Sequence, residues 1–404
     1  MMDNSKLIRW PRLVIGCTAL IFAGIINSWS IIKAPFEIFW DSAQLGMNYT
    51  LTISFFCVGS LVSGFVSKKC SSTIRLLASA VLAFFGFFIV SRLDGGVVLP
   101  LYIAYGVLAG FGIGVTFITI IATTNEWFPD RQGLSSGILL TSFGMSAFIF
   151  GRVADIMGRS EAIGWQNAYL IMAISLGVIL LIAALLVKPP PKGTVFPEPK
   201  NQRKKASSTE KDTTPGAILK RPLFYLTFLS TAIIVSSGIV AFSFARNIVL
   251  DLGSTASFAV TSAGILAAIN GFGRLISGWL FDNIGLRKTQ IVYGASGFLA
   301  PLTVVFALMT GSLFLGVVGI GLCGFSYGST STTTSVLAAN YFDPRHYSLN
   351  LALMNMILLP ASFTSTLAGR VKDTTGEFLM AFVILAAFSA FGGALMFFIK
   401  SRKN

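Results

Sequence analysis

Residues 261–288 read Thr-Ser-Ala-Gly-Ile-Leu-Ala-Ala-Ile-Asn270-Gly-Phe-Gly-Arg274-Leu-Ile-Ser-Gly278-Trp-Leu-Phe-Asp282-Asn-Ile-Gly285-Leu-Arg287-Lys288. The apolar run they belong to, 257–281, is long enough to cross the ~30 Å hydrocarbon core of a bilayer, which takes about 20 residues. One ionised side chain, Arg274, interrupts it, and a charged turn separates it from the next apolar run at 290–309. A buried apolar helix carrying a single cation and ending in a charged turn is the signature of a polytopic membrane protein, not of a soluble core.

Reading outward in both directions gives twelve such runs: 13–32, 43–66, 76–93, 98–124, 134–157, 164–187, 222–249, 257–281, 290–309, 312–339, 349–370 and 377–399. The composition agrees. Of 404 residues, 54% are hydrophobic and 11% charged, against about 25% charged in a soluble protein. The mean hydropathy of +0.77 excludes a soluble enzyme with a membrane tail, and it excludes disorder. It also excludes nucleic-acid binding as the main role, despite a net charge of +14. Cys17, Cys57, Cys70 and Cys323 have no paired spacing, and His346 is the one histidine, so a disulfide scaffold, a metal site and a haem site are not expected. No cofactor motif is present. The first run follows Arg9 and Arg12 but lacks a small-residue cleavage site, so it reads as a retained span and not a secretory signal.

Between the sixth and seventh runs, Lys188–Arg221 is rich in Lys, Pro, Ser and Thr and reads as a solvated linker. The expected units are therefore 1–187, a linker 188–221, and 222–404. With both termini and the linker on one side, that side holds 22 of the 30 Lys and Arg and the other holds 7. This places the termini in the cytoplasm and the basic linker against anionic lipid headgroups. The halves repeat at an offset near 214: Gly110 and Gly114 map onto Gly324 and Gly328, Gly64 onto Gly278, and Phe128 and Arg131 onto Phe342 and Arg345. Six spans, a linker and six similar spans describe two parallel repeats around a central cavity. The paired glycines read as close helix contacts.

Gly278-Trp-Leu-Phe-Asp282-Asn-Ile-Gly285-Leu-Arg287-Lys288 resembles the loop motif of the major facilitator superfamily. Three further stretches narrow the resemblance: Asn27-Ser-Trp29-Ser, Asn125-Glu-Trp-Phe-Pro-Asp-Arg131-Gln-Gly-Leu-Ser-Ser-Gly137, and Ile218-Leu-Lys-Arg-Pro-Leu-Phe-Tyr225. Together, and over essentially the whole chain, they resemble the oxalate/formate antiporter family, relatives of the monocarboxylate transporters. The resemblance implies an all-α, twelve-span secondary transporter of a small organic anion, working as a monomer. In that family's oxalate carriers, an arginine at the position of Arg274 works with a lysine in the eleventh span, and Met354 stands in that lysine's place. Two cage tyrosines fall on Phe117 and Phe143, a cage tryptophan falls on Cys323, and a tyrosine is retained as Tyr327. One cation with an apolar wall suits a monocarboxylate such as lactate, pyruvate or formate better than oxalate.

The residues by themselves point the same way. All sixteen acids lie in loops or near span ends, whereas Arg274 lies eight residues before Asp282, about 12 Å from the end of its helix at ~1.5 Å per residue. Burying it costs roughly 2.5–3.5 kcal/mol. A guanidinium clamps a carboxylate through two parallel hydrogen bonds, so an anionic substrate is its natural partner. The alternatives are an end-of-helix acid such as Asp251, or carbonyls and water. Asn270, one turn earlier on the same face, orients the guanidinium, bonds the substrate or simply packs. Tyr327 is a donor or a packing residue. Asn27, Trp29 and Asn355 are further candidates for the cavity.

Asp282, Gly285, Arg287 and Lys288 read as a conformational latch, with the acid at a neighbouring helix N-terminus. In the N-terminal copy, Lys68 stands where the acid would map. Arg152, Asp155 and Arg159 share a face at the outer end of the fifth span, as a local pairing or an anion-attracting vestibule. Asn48-Tyr49-Thr50 has the glycosylation pattern but lies within a span. The nearest proton-relay candidate is Asp251. Without it, anion exchange or facilitated transport follows, because an empty Arg274 would reorient slowly. Oxalate/formate exchange, and an anion sensor without flux, are the competing readings. An integral-membrane enzyme would need a nucleophile with its base, or clustered acids or histidines, and none is found.

Overall fold

The computed structural model describes residues 4–160, 162–191, 194, 196, 222–340 and 347–396. Most of the linker, together with Phe342, Arg345 and His346, lies outside these residues. Among those described, eleven helices are long and apolar enough to span a membrane, and Leu379–Leu395 is a shorter twelfth. Their order matches the twelve runs read from the sequence. The bundle has a linker end, where the first span begins, and a far end opposite it.

Several helix starts are written locally. The second span, Ser42–Val66, begins with a capping box: the Asp41 carboxylate accepts from Gln44 N–H at 2.7 Å, and Gln44 Oε1 accepts from Asp41 N–H at 3.2 Å. Ser71 and Thr255 cap the third and eighth spans with the hydroxyl alone, each accepting a backbone N–H at 3.3 Å. The eighth and ninth spans, Ala256–Phe281 and Lys288–Thr310, form one helical stretch bent at Gly285. That residue has φ 77° and ψ 171°, the backbone region that favours glycine. The charged turn expected there is thus a single-residue break.

Four spans are irregular along their length; the eleventh, Ser348–Thr375, breaks between Asn355 and Leu358. The first, Arg9–Phe36, changes to 3-10 geometry over Gly24–Ser28 and runs on past Ile32 through a last turn at Ala34–Phe36. The fourth, Leu99–Asn125, carries a π-helical stretch over Tyr102–Ala109. The fifth, Leu134–Gly158, stops at Gly144 and restarts at Ser146. Non-helical backbone within a span is tolerated where it is buried in protein.

The second span packs along the eleventh, Ser348–Thr375, and the fifth along the eighth. Glycines set the spacing. A Cβ on Gly110 would stand 2.6 Å from the Thr52 carbonyl oxygen, and one on Gly324 would stand 2.5 Å from that of Leu266. Polar ties between the first six spans and the last six occur at mid-depth, as where Thr50 Oγ1 donates to the Ser362 carbonyl at 2.8 Å, and at the far end. Glu37 accepts from Arg246 Nη1 at 3.0 Å and Asn247 Nδ2 at 2.7 Å. Asp373 accepts from Ser42 N–H at 3.1 Å and Ala43 N–H at 2.7 Å. Arg152 donates to Thr261 Oγ1 at 2.9 Å and the Ser257 carbonyl at 3.3 Å. At the linker end, Trp127 donates its indole N–H to the Lys188 carbonyl at 2.7 Å, while Arg12 lies 3.9 Å over its ring.

Candidate functional site

Arg274 is 4% exposed and lies against the fifth span. Its Nη1 donates to the Leu140 carbonyl, and its guanidinium carbon is 5.9 Å from the centre of the Phe143 ring. Its Nε is buried without a hydrogen-bond partner, as is Oδ1 of Asn270 one turn away. No carboxylate among the described residues pairs with it. The break in the fifth span makes this approach possible. A Cβ on Gly144 would stand 2.7 Å from Asn270 Oδ1 and 3.2 Å from Arg274 Nε. On the other side, Asn270 Nδ2 donates to the Gly324 carbonyl at 3.1 Å, and Thr332 Oγ1 donates to the Arg274 carbonyl at 2.9 Å. The eighth span is thereby held to the tenth while its arginine faces the fifth.

Around this cation the walls are aromatic. Phe117 and Phe143 meet edge to face at 5.0 Å, and Phe56 of the second span packs on them at 5.2 and 5.9 Å. Tyr327 lies in electrostatic range of Arg274, with Phe242 at 5.2 Å from its ring. Asn27 enters through the 3-10 segment of the first span, donating to the Phe143 carbonyl at 3.2 Å. Arg274, Asn270, Tyr327, Phe117, Phe143 and Asn27 are thus brought together.

The remaining candidates are held by other neighbours. Trp29 is buried among aromatic rings and donates to the Leu45 carbonyl at 3.2 Å. Met354 and Asn355 are buried just before a turn in the eleventh span, where the Asn355 carbonyl accepts from Cys57 Sγ at 3.3 Å. Cys323 is buried one turn before Tyr327, and its carbonyl lies 2.9 Å from where a Cβ on Gly238 would stand. Asp251 lies at the far end, paired with Lys372 at 2.5 Å. Lys288 is exposed beyond the Gly285 break, and the side chains of Asp282 and Arg287 lie outside the described part.

The structure corrects one reading. Arg274 is not the only buried cation at depth. Lys33 is 1% exposed, with its Nζ 3.9 Å from the Phe244 ring centre and 3.9 Å from Glu37 Oε1. The reason is that the first helix runs four residues beyond Ile32, so Lys33 lies within the span and under the seventh helix. Sequence reading also missed Phe56 and Gly144. Helical spacing within the second span was a usable signal for Phe56. Nothing local marks Gly144, whose role depends on what faces it.

A transporter-type helical bundle with a buried cation at its centre is what the fold and the site define. A profile of the Major Facilitator Superfamily matches residues 13–366, and the chain belongs to that superfamily. The oxalate:formate antiporter of Oxalobacter formigenes is 23% identical, over 98% of this chain and 92% of that protein. Monocarboxylate transporter 13 of Rattus norvegicus is also 23% identical, over 94% and 85%. Among solved structures, the nucleoside transporter NupG superposes with a TM-score of 0.69 at 14% identity, covering 98% of this chain and 100% of that one. The E. coli fucose:proton symporter FucP gives 0.64 at 15% identity, over 97% and 99%. The chain is therefore a multi-pass membrane transporter of the major facilitator fold.

Proposed function

We propose that this transporter carries small organic monocarboxylates of the lactate, pyruvate and formate kind by alternating access, with Arg274 holding the carboxylate. The observation that carries this reading is the buried guanidinium whose Nε has no partner and which no described carboxylate neutralises. Leaving such a cation unpaired in a low-dielectric interior is costly, and a substrate anion relieves the cost. Tyr327 supplies a neutral donor beside it, and Asn270 steadies the guanidinium. Phe117, Phe143 and the buried Met354 give the apolar wall that suits a short carbon chain.

The two six-helix units, 1–187 and 222–404, rock about this centre, with both termini and the linker in the cytoplasm. Asp282, Gly285, Arg287 and Lys288 govern that movement at the cytoplasmic face. The cycle is exchange or facilitated transport, since an empty Arg274 opposes reorientation. A proton taken up with the anion would require Asp251 to leave Lys372.

Counterflow in proteoliposomes tests the reading. Vesicles of the purified protein are loaded in turn with lactate, pyruvate, formate or oxalate, with label outside. Accumulation with the three monocarboxylates and not with oxalate supports it. Strong oxalate exchange supports a second reading, a dianion carrier, which the buried Lys33 favours and its contact with Glu37 disfavours. Binding without flux would indicate a sensor.

A further inference from the structure

At the far end, two cations and an amide converge on one carboxylate. Glu37 accepts from Arg246 Nη1 at 3.0 Å and from Asn247 Nδ2 at 2.7 Å, and Lys33 Nζ stands 3.9 Å from the oxygen that Asn247 bonds. Arg246 and Asn247 come from the seventh span and Lys33 from the first, so the group straddles the two six-helix units. It is well buried, with the Lys33 side chain 1% exposed and that of Arg246 12%. Arg246 holds a further donor, since its Nε is buried without a partner. The neighbouring acid, Asp373, is taken up by the N–H groups of Ser42 and Ala43. Charge-assisted donors around a carboxylate are a strong arrangement, and here the chain fills it with its own side chain.

A cavity of about 260 Å³ adjoins this group, bounded by the first, fifth and sixth spans, with Arg246 in its wall. At about 30 Å³ per water molecule, that is room for the carbon body of a short acid. The rest of the wall is mostly apolar and includes Pro35, Trp165 and Tyr169, and Asp155 is its other charged residue. Gly158 lies in the same wall, and a Cβ built on it would meet nothing within 4 Å. A ligand here has a cation to hold one carboxylate and apolar surface for its body. A second carboxylate on it would share the cavity with Asp155, and like charges repel.

We propose that Arg246, Asn247 and Lys33 form a second carboxylate site at the far end, which a short monocarboxylate takes by displacing Glu37, its carbon body lodged in the adjoining cavity. The displacement removes the tie between the first and seventh spans, so arrival of the acid and release of that contact are one event. The ligand class rests on the monocarboxylate reading of Arg274; the site itself is separate from Arg274 and is tested without it.

The test is equilibrium binding of labelled lactate to the purified protein in detergent, in an Arg274→Gln background that removes the central cation. Adding Glu37→Ala empties the far-end site, and lactate should then bind at least about tenfold tighter, the size of one lost competing hydrogen bond. Adding Arg246→Gln as well should abolish that gain, and succinate should compete more weakly than lactate. No gain with Glu37→Ala, or a gain that Arg246→Gln leaves intact, overturns the inference. If the combined variants do not fold, Gly158→Leu in the otherwise natural chain decides. Its side chain fills the cavity, so the KM for lactate in counterflow should rise several-fold, while formate, which has no carbon body, keeps its KM. An unchanged ratio of the two overturns the inference. Flux that persists in Arg274→Gln overturns the central reading alone, and leaves the far-end site standing where binding still follows Arg246.

Discussion

Arg246 Nη1 donates to Glu37 Oε2 at 3.0 Å, joining the seventh span to the first at the far end of the bundle. Glu37 accepts from two donors, since Asn247 bonds its other oxygen at 2.7 Å, and Lys33 Nζ stands 3.9 Å from that oxygen as an ion pair. At the far end this carboxylate ties the first span to the seventh, and Asp373 bonds the N-terminus of the second span beside it.

Glu37→Gln is expected to loosen that end. It weakens charge-assisted hydrogen bonds, typically about 1.5–3 kcal/mol each, in the contact between the first and seventh spans. Amide exchange across residues 34–46 should speed up about tenfold or more, with little change at the linker end. Unchanged protection there would show that the carboxylate does not hold the first and seventh spans together.

Arg274→Gln should insert and fold yet lose anion flux, because an amide carries no charge. Arg274→Lys should lose at least about tenfold, since a point charge cannot reproduce the forked geometry that clamps a carboxylate. Initial rates in counterflow decide this, and full activity in the lysine variant would remove the bidentate contact from the mechanism.

Met354→Lys places a second cation at a buried position of the eleventh span. The unpaired ammonium is expected to lower the melting temperature, and oxalate should restore it more than lactate does. Thermal unfolding in detergent with each anion reads the difference. Equal shifts with both anions would separate position 354 from substrate charge.

Gly144→Ala puts a methyl 2.7 Å from Asn270 Oδ1. The side chain of Asn270 or Arg274 must give way, so KM should rise several-fold while expression and melting temperature stay near wild type. A variant with unaltered KM would show that the site opens away from Gly144 when substrate binds.

Much of the architecture was legible in the residues because bilayer length and apolarity are local quantities. The runs at 134–157 and 257–281 needed no partner to be recognised. Arg274 was legible for the same reason: its isolation is visible in one dimension. Lys33 was not, because Ile31-Ile32-Lys33-Ala34-Pro35 reads as a span end, and only the continuing helix and Phe244 of the seventh span bury it. Trp29 shows the converse. Its position in the first span suggested a cavity residue, and its indole is tied to the Leu45 carbonyl.

The grip of Trp127 on Lys188 extends along the chain, since Phe196 packs against the same indole at 6.3 Å and Ser72 bonds the Val187 carbonyl at 3.2 Å. The connection between the repeats therefore starts with a moored stretch. A polypeptide cut just after Lys188 would lose part of that mooring, whereas one cut beyond Phe196 keeps all of it with the first six helices. Two separately expressed fragments divided beyond Phe196 keep these contacts within the first fragment and are the natural pair for reassembly in a membrane.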